Sequence, residues 1–280
     1  MQQLLPNKDT ISSLKNRATF FYFFKLNNAA NNGLAIRAEF ERHQAKCLHW
    51  FECEYAFVGE GENTWSHAAI FEFPSFAAVT QAIDKGISSE GVEALQGFAV
   101  RPTTPPNFIL FLFKLLRPIG ALLRGSTEGQ TVNQVIEIMG GEGGIISTKE
   151  QVARHLQNKR TSKAYMINLL QTYKKAQYAA NSNSTINGAT AYYRKYGFVA
   201  MRSVLMLGGN LILAGRMGQP IIEINAPKLT KGTWEGIGIM EYPNPANLIA
   251  LEKMPGYKKS LVHRDAGLER TALIISKKGL

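Results

Sequence analysis

The sequence predicts an α+β protein of two similar halves, each an antiparallel sheet with its helices on one face. Three observations lead to this prediction. A motif of tryptophan, glutamate and proline occurs twice, both halves show the same order of strand and helix patterns, and an apolar, basic segment separates them. A length of 280 residues with 45% apolar residues is sufficient for a large hydrophobic core.

The repeated motif aligns the two halves at a constant separation of 169 positions (234 minus 65). Each copy reads as a strand that a proline closes, followed by a helix with Ser75 or Asn244 near its N-cap. The motif residues are Trp65, Glu72 and Pro74 in WSHAAIFEFPSF, and Trp234, Glu241 and Pro243 in WEGIGIMEYPNP.

The remaining patterns complete the order of elements in each half. Strand-like runs at 20–27 and 165–172 each precede an amphipathic helical pattern. Further strands at 95–102 and 271–278 give the order strand–helix–strand–strand–helix–strand twice. The compact arrangement for that order is the ferredoxin-like fold. We therefore expect two tandem ferredoxin-like (βαββαβ) repeats, whose antiparallel sheets pack as an intrachain dimeric α/β barrel.

These patterns divide the chain into three parts. The first repeat spans 1–102, a helical linker of apolar and basic character spans 103–162, and the second repeat spans 163–280. Within the linker, Ser147 with Glu150 matches a capping box at the start of a helix.

The apolar run 107–124 of the linker has two interpretations. It contains Lys114, Arg117 and Pro118, and it is too short and too charged to span a bilayer. It forms either a helix–proline–helix element that covers a sheet or closes a pocket, or an interfacial membrane anchor with Lys114, Arg117 and Arg124 at the headgroups. The sequence leaves both interpretations open.

The charge and the cysteines limit the classes of function. A net charge of +11 favours acidic partners, although the basic residues are spread along the chain. Cys47 and Cys53 are six residues apart, which would place both on one face of a strand. No cysteine or histidine spacing matches a metal site, so we expect no metal. The N-terminus lacks a signal-peptide pattern, which predicts a cytoplasmic location. Membrane association through 107–124 is compatible with that location.

Candidate catalytic residues follow the last predicted helix, in PGYKKSLVHRDAGLER. A spacing of seven places Tyr257 and Arg264 on one face of a helix. A histidine such as His263 can move a proton near neutral pH, an arginine can hold a carboxylate or enolate oxygen, and a tyrosine can donate to an oxyanion. The alternative is that His263 and Arg264 pair with Asp265 or Glu269 in solvent.

Several motifs of the second half carry a resemblance to a known family. They are INLLQTY, the helix around Tyr193, GGNLILAGR, WEGIGIMEYPNPANL and PGYKKSLVHRDAGLERTALI, in this order over about 163–278. Together they resemble DUF1330-type proteins, small bacterial proteins of the dimeric α/β-barrel, ferredoxin-like superfamily. The resemblance implies a pocket between sheet and helices, with a catalytic set and a substrate-binding set. The catalytic set is His263, Arg264 and Tyr257; the substrate-binding set is Asn168, Tyr193, Arg216 and Glu241.

The wider superfamily includes cofactor-free monooxygenases, muconolactone-type isomerases and polyketide cyclases, which indicates the kind of activity to expect. We predict a cofactor-independent enzyme that isomerises, cyclises or condenses a small, largely apolar oxygenated metabolite through an enol-type intermediate. A non-catalytic carrier and a cofactor-free monooxygenase are the alternatives. The first half lacks matching Tyr, His and Arg residues after its helix, so one site is expected, in the second half.

Two further expectations concern partners. Nucleic-acid binding is disfavoured, because the central strands lack the aromatic RNA-binding signature. The chain is expected to be either a monomer with an internal pseudo-dimer or a homodimer.

Overall fold

The computed structural model describes residues 4–5, 17–27, 29–59, 65–125, 129–139, 144–179, 184–226 and 234–280. Among these residues, the strands are β1 Thr19–Leu26, β2 Lys46–Val58, β3 His67–Glu72, β4 Val92–Pro102, β5 Ala164–Thr172, β6 Asn210–Arg216, β7 Ile222–Ile224, β8 Gly236–Tyr242 and β9 Leu268–Lys278. The α-helices are α1 Ala29–Arg42, α2 Phe76–Lys85, α3 Asn107–Leu115, α4 Arg117–Arg124, α5 Val132–Met139, α6 Lys149–Gln157, α7 Gly197–Met206, α8 Asn247–Ala250 and α9 Tyr257–Gly267. A π-helix, Thr190–Tyr196, leads into α7, and a 3₁₀ turn, Leu251–Lys253, follows α8.

Eight strands form one closed antiparallel barrel in the order β1-β3-β2-β9-β5-β8-β6-β4, and β4 returns to pair with β1. The short strand β7 pairs with β4 next to β6. The first half supplies the neighbouring strands β4, β1, β3 and β2, and the second half supplies β9, β5, β8 and β6.

The predicted architecture of two tandem ferredoxin-like repeats, packed as an intrachain dimeric α/β barrel, is therefore wrong. The halves do not keep separate sheets, because hydrogen-bonded pairs run across both boundaries between them. At one boundary β2 pairs with β9, from Phe51 opposite Lys278 to Val58 opposite Leu273. An isolated sheet would leave such edge groups unpaired, whereas closure into a barrel satisfies them.

The second boundary is much shorter. Here β4 meets β6 through only two residue pairs, Arg101 with Arg216 and Pro102 with Gly215. The amide of Thr103 extends this pairing by one hydrogen bond of 2.8 Å to the carbonyl of Ala214. This boundary lies beside the candidate site described below.

Three apolar clusters follow from the alternation of side chains along the strands. The barrel interior is filled by side chains such as Phe21, Phe98 and Ile167, and both repeat tryptophans point into it. The outer face of the first half packs on α1 and α2 through an aromatic cluster that includes Tyr22 and Phe40. The outer face of the second half packs on the linker and on helices α7 to α9.

The cysteines do not share a face, in contrast to the prediction. Cys47 packs against the outer cluster of the first half, and Cys53 packs against the barrel interior. The pairing of β2 with β3 shifts register between Cys47 and His49, so Leu48 is an extra residue. Because one extra residue reverses the alternation, an even spacing no longer means a common face.

The described residues of the linker form four helices, and the last of them is attached to the barrel. Helix α6 begins with a capping box formed by Thr148 and Gln151, one residue later than the predicted pair of Ser147 and Glu150. The Gln151 amide explains the choice, because its oxygen accepts from the Thr148 amide at 2.9 Å while its NH₂ donates to the Gly59 carbonyl at 3.0 Å. A glutamate would lack that donor.

The buried His155 attaches helix α6 to strand β2 and to the turn after β8. Nε2 of His155 lies 3.1 Å from the Pro245 carbonyl, and Nδ1 lies 3.0 Å from the Tyr55 hydroxyl. Asn158 donates to the same hydroxyl at 3.1 Å. With only 2% of its surface exposed, His155 has its pKa lowered by burial to about 4, so the ring is neutral at pH 7.

Candidate functional site

A cavity of about 520 Å³ lies on the outer face of the second half. Its floor is the outer surface of β5, β6, β8 and β9, and its roof is formed by the π-helix, α7 and α9, with contributions from α3 and α5 of the linker. Most of its lining is aliphatic or aromatic, with a few polar groups among it. This combination is typical of small-molecule sites.

The floor of the cavity is set by the alternation along β5 and β8. Ile167 and Ile239 point into the filled barrel, so Asn168 and Gly238 face outward to the cavity. The Asn168 side-chain NH₂ donates to the carbonyls of Gly238, at 3.2 Å, and Met166, at 3.3 Å. Its oxygen then has no partner among the described residues and remains available to a ligand. A Cβ atom added at Gly238 would meet no atom within 4 Å, so the cavity is open at this point.

The π-helix supplies three tyrosines to the roof: Tyr192, Tyr193 and Tyr196. Its i→i+5 hydrogen bonds make a π-helix wider than an α-helix, so that it turns less per residue and neighbours such as Tyr192 and Tyr193 both reach the cavity. Segments of this kind occur often at functional sites.

Arg216 and Tyr193 form the cationic end of the cavity. The Arg216 guanidinium lies 4.1 Å from the centre of the Tyr193 ring, a cation–π contact. The Tyr193 hydroxyl is buried against Gly236 and has no protein partner among the described residues, and burial raises its pKa. No carboxylate of the described chain pairs with Arg216. An arginine without a carboxylate partner is a donor for an acceptor that the described residues do not supply.

Tyr257 and Arg264 reach the cavity from α9. The Tyr257 hydroxyl lies 3.1 Å from that of Tyr196, and burial, followed by the neighbouring Tyr196, raises its pKa well above the ordinary value. Arg264 donates to the Met139 carbonyl at 2.9 Å and pairs with Asp265 at 2.7 Å. The predicted pairing with Asp265 is thus present, but Arg264 is largely buried at the cavity wall.

The structure brings five of the seven predicted site residues to the cavity: Asn168, Tyr193, Arg216, Tyr257 and Arg264. His263 lies outside its lining, on another side of α9, where Nδ1 lies 2.7 Å from the Tyr178 hydroxyl. Glu241 points into the barrel, where it accepts from Tyr165 at 3.1 Å and Asn210 at 2.8 Å. The prediction that His263 moves a proton therefore lacks support from this geometry.

Sequence reasoning missed other lining residues. The linker contributes Pro105 and Ile109, and the turn after α8 contributes Glu252, the one carboxylate among the described lining residues. Glu252 is paired with Lys258 at 3.4 Å and accepts from Gln130 at 3.3 Å. Tyr192 and Tyr193 are consecutive, and this pair was the only sequence signal for an aromatic roof. On an α-helix, neighbouring residues point in different directions, so the pair did not suggest that both side chains reach one cavity. Among the described residues, no group of three or more His, Cys, Asp or Glu side chains could hold a metal ion.

Comparisons with known proteins give few neighbours. No family model matches the chain, and no curated protein matches it. One similar solved structure is RPA0582, a protein of unknown function from Rhodopseudomonas palustris, at 28% identity over 50% of this chain and 98% of that chain, with a TM-score of 0.41. The methylated form of RPA0582 gives 30% identity over 49% of this chain and 96% of that one, with a TM-score of 0.38.

Proposed function

We propose that the protein binds a small, largely apolar molecule that carries one oxygen-rich, anionic end. The observation that carries this proposal is the position of Arg216 at the wall of a largely apolar cavity, without a carboxylate partner among the described residues. A carboxylate or enolate at that end would accept from Arg216, and Asn168 would add a polar contact on the floor. The apolar body would occupy the space above Gly238.

The cavity favours binding over proton transfer. The lining tyrosines Tyr192, Tyr193 and Tyr257 have raised pKa values through burial and stay neutral, so they donate hydrogen bonds and do not act as bases at pH 7. A carrier or sequestering protein needs no base. The resemblance to DUF1330-type proteins is compatible with this proposal and stays a prediction.

An enzyme is the second candidate, on the evidence of the residues that α9 and the π-helix contribute. The hydroxyls of Tyr196 and Tyr257 beside Arg264 resemble a set of donors for an oxyanion, which an isomerase or cyclase acting through an enol would use. Such a reaction would need Glu252 to release its ion pair and act as the base. Conversion of a substrate by the wild type, lost in Glu252→Gln while ligand binding remains, would favour this second candidate.

The binding proposal is tested with two ligands that share an apolar chain and differ in the head group, decanoate and decanol, measured by calorimetry. We expect decanoate to bind more tightly. Arg216→Met should weaken decanoate binding by about tenfold to a hundredfold, the usual value of a charge-assisted hydrogen bond, and leave decanol binding unchanged.

A matched pair of glycine variants shows where the ligand sits. Gly238→Leu places a side chain in the open cavity and should abolish binding of both ligands. Gly218→Leu adds the same side chain at a position that also has no atom within 4 Å but lies outside the lining, and should have no effect. Unchanged decanoate binding in Gly238→Leu, or no preference for decanoate in the wild type, would overturn the proposal.

A further inference from the structure

Helices α3 and α4 leave an apolar surface uncovered. Neither contains a buried residue except Gly120. Within 107–124 the exposed large apolar residues are Phe108, Phe111, Leu112, Leu115, Ile119, Leu122 and Leu123, with Leu122 at 84% exposure. Their spacing of three or four residues forms a face along each helix. We call this set the α3–α4 face. Contiguous exposed apolar surface of this kind marks an interaction site.

The two helices are held firmly by their other side. The ring of Phe113 packs edge-on against Phe198 of α7, with ring centres 5.0 Å apart. Gly120 lies so close to the end of α7 that an added Cβ would be 2.2 Å from the Met206 carbonyl. Arg117 donates to the Gly209 carbonyl at 3.2 Å. The α3–α4 face is therefore presented on a fixed support.

The charges within the segment that carries the face are all positive. Between Glu93 and Glu128 the sequence contains no acidic residue, but it contains Arg101, Lys114, Arg117 and Arg124. Beside the end of α4, Gly125 has the Lys253 ammonium as its neighbour. Each basic residue near an anionic bilayer contributes about 1 kcal/mol of attraction. The same charges oppose association between two copies, since each chain carries +11.

The size of the face also argues against a second copy. Helices of nine and eight residues, at about 1.5 Å per residue and about 10 Å width, offer a surface of roughly 260 Å². A stable protein interface needs about 800 Å² from each partner. Insertion into the interface of a bilayer requires only a short apolar helical face with basic neighbours. No helix among the described residues is long and apolar enough to cross a membrane.

We propose that the α3–α4 face docks the protein on the surface of an anionic lipid bilayer. Phe108, Phe111, Leu112 and Leu122 enter the boundary between headgroups and acyl chains, while Lys114 and Arg124 contact lipid phosphates. Because Ile109 of the same helix lines the cavity, docking places the cavity next to the membrane. In this position an apolar ligand passes between bilayer and cavity; that last step rests on the proposed function.

Vesicle co-sedimentation of the ligand-free protein tests the docking independently of the cavity. The probes are vesicles of phosphatidylcholine alone and vesicles with a quarter of phosphatidylglycerol. We expect binding to the anionic vesicles and binding weaker by about tenfold or more to the neutral ones, because two or more basic residues contribute. The double variant Phe111→Glu/Leu122→Glu should lose vesicle binding.

The matched control is Leu34→Glu, a comparable exposed leucine on α1 of the first half, with 54% exposure. It should bind vesicles like the wild type. Because all three substituted side chains are exposed, each variant should keep the unfolding midpoint of the wild type.

Failure of the wild type to bind anionic vesicles, or equal binding by the double variant, would refute the docking. A wild-type dimer in analytical ultracentrifugation that the double variant converts to a monomer would assign the face to a second copy instead, and would also refute it. Decanoate binding in solution is unaffected by any of these outcomes, so the two proposals fail separately.

Discussion

Acidification should loosen the attachment of helix α6 through His155. The side chain is held neutral in the folded protein, with its pKa lowered from the ordinary 6.5 to about 4. In the unfolded chain the ring takes up a proton below about 6.5, so the unfolded state binds more protons between pH 6.5 and 4. The contribution of His155 to stability is therefore complete above pH 6.5 and is lost as the pH falls through that window.

The size of the effect follows from the two pKa values. At about 1.4 kcal/mol per pKa unit, a difference of about 2.5 units corresponds to about 3 kcal/mol over the whole window. Between pH 7 and pH 5 about 2 kcal/mol of this should be lost, since pH 5 lies above the folded-state pKa. Such a loss is large compared with the total stability of most domains.

Chemical unfolding of wild type and His155→Gln at pH 7, 6 and 5 measures this contribution. The buried Trp50, Trp65 and Trp234 report unfolding by fluorescence. The glutamine introduced by this substitution can still donate to the Pro245 carbonyl but cannot be protonated. The wild type should be the more stable at pH 7, and its advantage should shrink by about 2 kcal/mol at pH 5.

Comparison with a second histidine controls for general acid effects. His263 is only partly buried, and its pKa is lowered through burial and Lys195, so His263→Gln should change the pH profile less. If the gap between wild type and His155→Gln stays constant from pH 7 to pH 5, the ring is not held neutral and the reasoning fails.

Three further predictions concern the barrel and its contacts. Glu241→Gln should lower the stability at pH 7 by about 1–2 kcal/mol in chemical unfolding, because burial opposes the charge of Glu241 but hydrogen bonds from Asn210, Lys163 and Tyr165 outweigh it and lower its pKa. That difference should begin to shrink as the pH falls below about 4.5, where the carboxyl takes up a proton in the unfolded chain, and should be lost once the pH passes the lowered pKa of the folded state; a difference that stays constant from pH 5 to pH 3 would contradict it. Gly120→Ala should lower the free energy of unfolding by about 1–3 kcal/mol, because the added Cβ forces α4 away from α7. Gly218→Ala should leave the free energy of unfolding nearly unchanged. Equal unfolding midpoints for the two variants would show that the contact at Gly120 is not tight. The two thiols should react slowly with a thiol reagent in the native protein at pH 8, since burial raises the pKa of Cys47 to about 11 and of Cys53 to about 12, and modification at the rate of a free cysteine would disprove this.

Local sequence patterns predicted where the strands lie better than which strands pair with each other. The tryptophan, glutamate and proline motif located β3 and β8, because a strand closed by proline has a clear signature. The pairing of β2 with β9 has no such signature. A period of two shows which residues share a face but does not show which strand lies alongside, and the closure of the barrel depends on that neighbour.

The helical spacing explains the partial success at the site. Seven residues correspond to almost two full turns, so Tyr257 and Arg264 reach the same cavity. Six residues fall about 120° away on a helix of 3.6 residues per turn, and His263 accordingly lies on another side. Glu241 lies two and four residues after Ile239 and Ile237 on the same strand, so it shares their face, which points into the barrel interior. Its prediction as a substrate-binding residue rested on the resemblance alone.

The sequence also did not predict that the π-helix tyrosines and the linker residues line the cavity, and the reasons differ. Nothing in the period of an amphipathic pattern distinguishes a π-helix from an α-helix, so the sequence did not show that Tyr192 and Tyr193 share a side. Ile109 reaches the cavity through contacts between elements far apart in the chain. Such contacts depend on the pairing of strands from the two halves, which the sequence did not predict.

The filled interior of the barrel has a consequence for how the cavity could change its selectivity. Its floor belongs to strands whose opposite side chains, such as Ile167 and Ile239, are fixed in a dense core, so the floor can hardly move. The roof consists of helices joined by loops, and side chains there, such as Met201 and Leu248, can be exchanged without altering the barrel. A cavity with a rigid floor and a roof open to substitution can acquire new ligands through changes in the helices; if the proposed function holds, Arg216 on the floor would continue to select for an acidic group.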